Sequence, residues 1–297
     1  MNTNTKHIVT EEFDNTIRAT NYIPGKFPGL TTRSSVKKAI KKQQLFVNGE
    51  ICKTGTIIKK GQIIEYAEKE IKIKKLFKLK LKIIYEDDFI ALINKPPGIS
   101  VSGNYFKTVQ NALPFNIKKS TQKDALTFPL PVHRLDNQTS GLLIVAKTKQ
   151  ARINLGKQFE EKKILKKYNA IVIGKTPQKG IINFPVEEKY AITKFETLRT
   201  TKSLRNTYLS LLNLYPETGR THQIRIHCEK SGFPILGDKL YSGDLPVFKG
   251  KGLFLSATEI SFDHPVTGNF LTFKIKYPEK FDKITEREEK RFYNNNF

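Results

Sequence analysis

Apolar positions recur at helical spacing early in the chain. Val36, Ala39 and Ile40 share one face, and Lys37, Lys38, Lys41 and Lys42 are left to solvent. Ser34 or Ser35, just ahead of them, offers a hydroxyl to a free N–H of the first turn and predicts a helix start there. The next run, Leu45 to Ile51, holds Asn48-Gly49 between apolar residues, which fits a tight hairpin whose two central residues need positive φ. A further strand, Ile57 to Tyr66, is interrupted by Lys60-Gly61. Residues 13–67 therefore read as one small unit, preceded by a flexible polar tail over 1–12. From 68 to 82, seven lysines are interleaved with Ile, Leu and Phe. The pattern suits a basic edge strand or a stiff linker over 68–80, and also a strip that tracks phosphates.

Beyond Leu81 strand-like runs dominate: Ile83–Tyr85, Phe89–Asn94, Gly141–Lys147, Tyr168–Ile173 and Thr207–Tyr215. Between them, Ala151, Leu155 and Phe159 stand four apart, predicting an amphipathic helix over Gln150–Lys163. Few of the strands are separated by helices, so residues 81–280 are expected to form an α+β domain. Its sheet would be mixed, mainly antiparallel, flanked by helices and loops. Residues 281–297 read as a charged tail that frays or forms a short helix. No internal repeat is visible.

Composition narrows the function. In 297 residues, 52 Lys+Arg stand against 28 Asp+Glu, a net charge of +24. That excess predicts attraction to a polyanion, nucleic acid first and an anionic membrane surface second. The 20 Phe and 11 Tyr argue against a disordered chain. Two cysteines, Cys52 and Cys228, make neither a disulfide framework nor a four-cysteine zinc site. The stretch Met1 to Asp14 is polar, with no apolar core of a signal peptide. The longest apolar run, Leu142–Ala146, falls far short of the ~20 residues that span a bilayer. A soluble, cytoplasmic, nucleic-acid-facing protein is the expectation.

Three stretches could carry chemistry. In Pro131-Val132-His133-Arg134-Leu135-Asp136, followed by Asn137 to Gly141 and a strand, Asp136 is open to several roles: nucleophile, acid or base, metal ligand, or cap of the turn. In Gly219-Arg220-Thr221-His222-Gln223-Ile224-Arg225-Ile226-His227, Thr221 reads as a helix cap and Gly232-Phe233-Pro234 as the stop, so His222–Ser231 is expected to be helical. Its arginine-flanked N-terminus would suit an anion. His222, His227 and Cys228 lack the spacing of the common helical zinc motif, so no metal is expected. Tyr168, in Lys166-Lys167-Tyr168-Asn169-Ala170, reads on its own as a sheet residue.

Taken in order, five boxes resemble the RluA-type RNA pseudouridine synthases: Tyr85-Glu86-Asp87-Asp88 leading to Asn94-Lys95-Pro96-Pro97-Gly98; His133-Arg134-Leu135-Asp136 with Thr139-Ser140-Gly141-Leu142-Leu143; Lys167-Tyr168-x-Ala170; Gly219 to His227; and Pro234-Ile235-Leu236-Gly237-Asp238. The likeness runs from about Ile83 to Lys276. Residues 13–67 resemble the alpha-L RNA-binding module through Arg33-Ser34-Ser35, Val47-Asn48-Gly49 and Lys60-Gly61-Gln62. Where the family often has His-Pro and Leu-His-Ala, this chain has Val101-Ser102-Gly103 and Leu255-Ser256-Ala257.

The resemblance implies isomerisation of uridine to pseudouridine without a cofactor. It implies Asp136 as nucleophile, Arg225 as the salt-bridge partner that keeps it ionised, and Tyr168 stacked on the uracil and aiding proton removal from C5. Arg134 would hold the flipped nucleotide or fill the gap it leaves. Arg220, His222 and Lys95 would contact phosphate or pack, and Ile235 and Leu236 would wall the pocket. Lys37, Lys38, Lys41 and Lys42 would face RNA. Ribosomal RNA of the large subunit is the expected substrate, with tRNA as the alternative, and a monomer is the default. Two other classes remain open from sequence: a non-catalytic RNA-binding or ribosome-assembly factor on the same fold, and a glycosidase. The latter would want a second paired carboxyl that is not evident.

Overall fold

The computed structural model describes residues 4–67, 76–242 and 251–296. The chain divides into two compact units, Met1–Lys75 and Leu76–Phe297.

The smaller unit runs β1 (Asn4–Ile8), β2 (Ile17–Arg18), α1 (Ala19–Tyr22), α2 (Arg33–Lys41), β3 (Leu45–Val47), β4 (Glu50–Ile51), β5 (Ile57–Ile58) and β6 (Ile63–Ala67). One sheet has the order β1-β6-β3-β4, and β2 pairs with β5. Helix α2 is capped by Thr32 rather than Ser34 or Ser35. The Thr32 hydroxyl accepts the Ser35 N–H and the Ser35 hydroxyl accepts the Thr32 N–H, both at 3.1 Å. That reciprocal arrangement satisfies two otherwise free donors. Val36, Ala39 and Ile40 are buried, and the four lysines are exposed. Asn48 (φ 50°) and Gly49 (φ 83°) make the turn between β3 and β4.

A further expectation fails in this unit. Of the tail expected over 1–12, residues 1–3 lie outside the described residues and the rest is not loose: β1 pairs antiparallel with β6, from Asn4↔Ala67 to Ile8↔Ile63, and Val9 is buried. An edge strand is ordered by backbone bonds and needs no apolar alternation, so the polar sequence hid it. The run Ile57–Tyr66, expected to be interrupted at Lys60-Gly61, is indeed broken there: a turn at Gly61 (φ 83°) separates β5 from β6, and the two pieces pair in different sheets.

Residues 68–75 of the lysine-rich run lie outside the described residues. The remainder of the expected linker belongs to the larger unit, where Phe77 and Leu79 pack on its core. Asn116 ties them down, donating to Leu79 O and accepting from Leu81 N–H, each at 2.8 Å.

The larger unit comprises β7 (Lys82–Glu86), β8 (Ile90–Lys95), α3 (Val109–Asn116), β9 (Ala125–Pro131), β10 (Ser140–Thr148), α4 (Lys149–Glu160), β11 (Leu165–Ile173), β12 (Lys179–Ile182), β13 (Thr193–Ser203), β14 (Thr207–Pro216), α5 (Gln223–Lys230), β15 (Leu255–Asp263), β16 (Phe270–Lys274) and α6 (Lys280–Asn296). Its ten-stranded sheet has the order β12-β13-β14-β11-β15-β10-β8-β7, with β16 on β15 and β9 on β10. Every pair is antiparallel except β10 with β15, so the expected mixed, mainly antiparallel α+β architecture holds.

The sheet is covered on both faces. Along β8, Ala91 and Ile93 enter one core while Ile90 and Leu92 enter another; along β11, Ala170 and Val172 alternate likewise with Ile171 and Ile173. Burial on both sides explains the uninterrupted apolar runs. The parallel contact brings β10 so close to β15 that a Cβ on Gly141 would stand 2.1 Å from Ala257 O.

The C-terminal stretch is not a fraying tail. Phe281, Ile284, Thr285 and Glu288 fall on one buried face of α6, and Glu288 accepts a hydrogen bond from Ser203 at the end of β13, at 2.8 Å. Two apolar residues among many charges gave too little periodic signal to show this docking. Strands β13 and β15 were likewise not among the expected runs. The central β15 buries Ser256, Thr258 and Ser261, and each bonds a neighbour in the sheet.

Candidate active site

Asp136 sits on the loop between β9 and β10, and that loop is pinned from several sides. Its own Asp136 O accepts the Thr139 N–H at 3.1 Å, and Asn137 O accepts Gly98 N–H at 2.8 Å. His133 Nε2 accepts the Ile144 N–H at 3.0 Å. Burial, aided by the positive charge of Lys166, pushes His133 down to about 3, so the ring is neutral and works as an acceptor tying the loop to β10.

Lys95, fully buried, adds a charged clasp. Its ammonium donates to the carbonyls of Pro96 (2.9 Å), Asn137 (3.0 Å) and Thr139 (2.8 Å). Burial lowers its pKa to about 8, opposed by the charge of Asp136. Lys95 is thus a loop fastener, not the phosphate contact that was one of its two expected roles.

Opposite Asp136 lies α5. It starts at Gln223, one residue later than expected, and the cap position falls on His222, not Thr221. His222 is left-handed (φ 55°, ψ 18°) and makes no capping bond. Non-glycine residues take that conformation only when their surroundings impose it, at about 1–3 kcal/mol. The result is an aimed ring: Nδ1 shares a 3.0 Å hydrogen bond with the Tyr241 hydroxyl and Nε2 stands 3.8 Å from Asp136 Oδ1. Gln223 locks the preceding turn. Its Oε1 accepts from Thr218 and from the Arg220 N–H, and its Nε2 donates to Ile192 O and Thr193.

Arg225 points its Nη1 at Asp136 Oδ2, 3.6 Å away. Its stronger bonds go elsewhere. Nε and Nη2 each donate to Asp238 at 2.7 Å, a bidentate pair buried almost completely. Burial opposes ionisation on both sides of this pair. The reciprocal bonds outweigh it, holding the Asp238 carboxyl low and the guanidinium high. The Tyr241 ring packs 4.9 Å from the guanidinium carbon. Tyr168, at the β11 ladder, completes the wall; burial first, then the Asp136 charge, raises its pKa, so the phenol is uncharged at neutral pH. Asp136, Tyr168 and Arg225 thus line one cavity of about 290 Å³. That is room for a single base at the low end of ligand pockets, roughly 300–1,000 Å³.

Residues 89–230, which hold Asp136, Tyr168 and Arg225, match the family described as RNA pseudouridylate synthase. The "Ribosomal large subunit pseudouridine synthase D" of Vibrio cholerae is 32% identical over 287 residues, 86% of each chain. The "Dual-specificity RNA pseudouridine synthase RluA" of Haemophilus influenzae is 38% identical over 213 residues, 66% of this chain and 93% of that one. The chain belongs to the RluA-type family of RNA pseudouridine synthases. It is an isomerase of uridine in RNA. The fold agrees: the solved structure "Human RNA Pseudouridylate Synthase Domain Containing 1" superposes with a TM-score of 0.57 at 22% identity, covering 69% of this chain and 87% of that one. Among the described residues no helix is long and apolar enough to cross a membrane.

In this synthase the other expected site residues fall differently. Arg134, exposed, and Arg220 stand at the cavity mouth, and Arg220 Nε donates to Tyr190 O at 3.2 Å. Ile235 and Leu236 do not wall the cavity: both are core residues, packed in the two clusters on opposite faces of the sheet. Their chain runs alongside β11, Ile235 bridging Val172, so both side chains are taken up by packing. Sequence reading missed Asp238 and Tyr241 as partners of Arg225 and His222. Nothing in periodicity links positions 13 and 19 residues apart. Only the Gly237-Asp238 pair, with Gly237 at φ 78°, hinted at a tight turn.

Proposed function

We propose that this synthase isomerises uridines of large-subunit ribosomal RNA, with Asp136 as nucleophile toward a uridine turned out of its stack. The observation that carries the reading is Asp136 itself. Its carboxylate is 17% exposed on a cavity wall, with a guanidinium 3.6 Å and an imidazole 3.8 Å away. A reachable carboxylate beside a fixed guanidinium and an aimed imidazole suits covalent catalysis, which splits one hard step into two. The N1–C1′ bond breaks, the uracil rotates, a C5–C1′ bond forms, the C5 proton leaves and N1 takes up a proton; the atoms balance without a cofactor. The Tyr168 ring offers a face on which the uracil would lie.

Turning the base out costs a few kcal/mol. Arg134 at the mouth is placed to hold the displaced nucleotide. The small unit acts as an alpha-L-type RNA-binding module, with Lys37, Lys38, Lys41 and Lys42 toward phosphate; such contacts supply affinity and register rather than sequence choice. We take the enzyme to be a cytoplasmic monomer.

The name of the Vibrio cholerae relative favours ribosomal RNA, and that of the Haemophilus influenzae relative, a dual-specificity RNA pseudouridine synthase, leaves room for a second RNA class, for which tRNA is the alternative. Tritium release from transcripts labelled at uridine C5 tests the reading. Release from large-subunit rRNA is expected; release from bulk tRNA alone would replace the substrate.

A further inference from the structure

Next to the Asp136 cavity the sheet splits. The β11–β14 ladder begins at Tyr168↔Leu214, so Leu165, Lys166 and Lys167 of β11 have no partner in Tyr215 and Pro216 of β14. The gap is a groove of about 490 Å³. It shares two wall residues with the cavity, Lys166 and Pro216.

The groove has one cation to spare at the seam. Lys167 pairs with Glu259 at 3.0 Å and Lys194 with Glu217 at 2.7 Å. Among the described residues Lys166 has no carboxylate or carbonyl partner, and burial alone lowers its pKa. A half-buried ammonium without an anion is costly unless one arrives. Beside it Tyr215 is 37% exposed, a flat face of the kind on which any base can stack. A charged and aromatic strip continues outward: Lys162 lies 5.7 Å from the centre of the Tyr190 ring, and Tyr190 O holds Arg220 at the cavity mouth.

A uridine in the cavity remains bonded through phosphate to its neighbours, so a groove sharing the cavity's wall lies on the path of the strand. We propose that this groove takes the nucleotide adjoining the target uridine, with its phosphate on Lys166 and its base against Tyr215. This rests on the Asp136 cavity being the uridine site.

The test uses the full chain and a large-subunit rRNA transcript labelled at uridine C5. Wild type, Lys166→Gln, Lys166→Arg and Tyr215→Ala are compared by tritium release and by filter binding across a salt series. Lys166→Gln and Tyr215→Ala are each expected to raise KM about tenfold. Lys166→Gln also flattens the dependence of log binding constant on log salt by about one. Tyr215→Ala leaves that slope unchanged, and Lys166→Arg restores both KM and slope. Wild-type KM and slope in Lys166→Gln overturn the proposal, as does a loss confined to kcat. Absence of release by the wild type from any RNA would overturn the substrate reading instead, and the salt slopes would still decide the groove.

Discussion

Arg225 is held by Asp238 and only leans on Asp136: its two 2.7 Å bonds go to Asp238, and the third guanidinium nitrogen stays 3.6 Å from the Asp136 carboxylate. Asp238 also accepts the N–H groups of Leu240 and Tyr241 at 2.9 and 3.1 Å, fixing the turn that carries Tyr241 to His222. One buried carboxylate thereby aims both the guanidinium and the imidazole that face Asp136. An Asp238→Asn variant keeps the shape and loses the charge. A misplacement of about 1 Å at a reacting centre can cost about a hundredfold, so kcat is expected to fall by up to that factor with KM little changed. Because breaking a buried pair can cost about 3–5 kcal/mol, Tyr241→Phe serves as the milder variant: folded, with kcat down several-fold and a shifted pH–rate profile. Wild-type pH profiles in both would relegate Asp238 to packing.

Asp136→Asn removes the carboxylate proposed as nucleophile and preserves the volume. Tritium release is expected to vanish while rRNA binding by filter assay stays within about twofold, since phosphate contacts supply most of the affinity. Release at the wild-type rate would rule Asp136 out.

Lys95→Met tests the loop clasp. At pH 7 it leaves three buried carbonyls without their donor, a loss of about 1–3 kcal/mol for each orphaned group that cannot find water. Between about pH 8 and 10.5 the unfolded wild type still holds the proton that the folded one has released. The unfolded state then binds more protons, so stability rises with pH through that window. The wild type is expected to gain on the variant from pH 7 to pH 10 in urea denaturation. A gap that stays constant would mean the Lys95 proton is not displaced by folding.

Gly141→Ala places a Cβ against Ala257 O on rigid strand backbone at a φ of +117°. Neither strand can yield without breaking the one parallel pairing. The expected cost is about 3 kcal/mol or more, read as a lower urea midpoint or as insoluble protein. An unchanged midpoint would show that the two strands can part.

Changing Lys37, Lys38, Lys41 and Lys42 together to Gln tests the small unit. Four lost phosphate contacts are expected to flatten the salt slope of rRNA binding by about three, and to weaken binding more than release at saturating RNA. An unaltered slope would remove α2 from the RNA interface.

The chain announced some of this in its own text. The α2 face, the Asn48-Gly49 turn and the apolar strands β8, β10 and β11 follow from local spacing, because each is a short-range pattern that backbone geometry reads directly. The boxes around Asp136, Tyr168 and Arg225 were legible through the family resemblance; read from the residues alone, Asp136 stayed open to several roles and Tyr168 was a sheet residue. The excess of 24 positive charges pointed to a polyanion before any element was placed. What local pattern could not convey depends on residues distant in the chain. Edge strand β1 exists only through β6, α6 is docked by Ser203 and its neighbours, and Ile235 and Leu236 are core because β11 passes beside them. Asp238 becomes the holder of Arg225, and Lys166 the seam between cavity and groove, only when the sheet closes. Sequence determined which side chains were present and their local conformations; the tertiary fold decided which of them meet, since hydrogen bonds and charges act over a few ångströms of space and not along the chain.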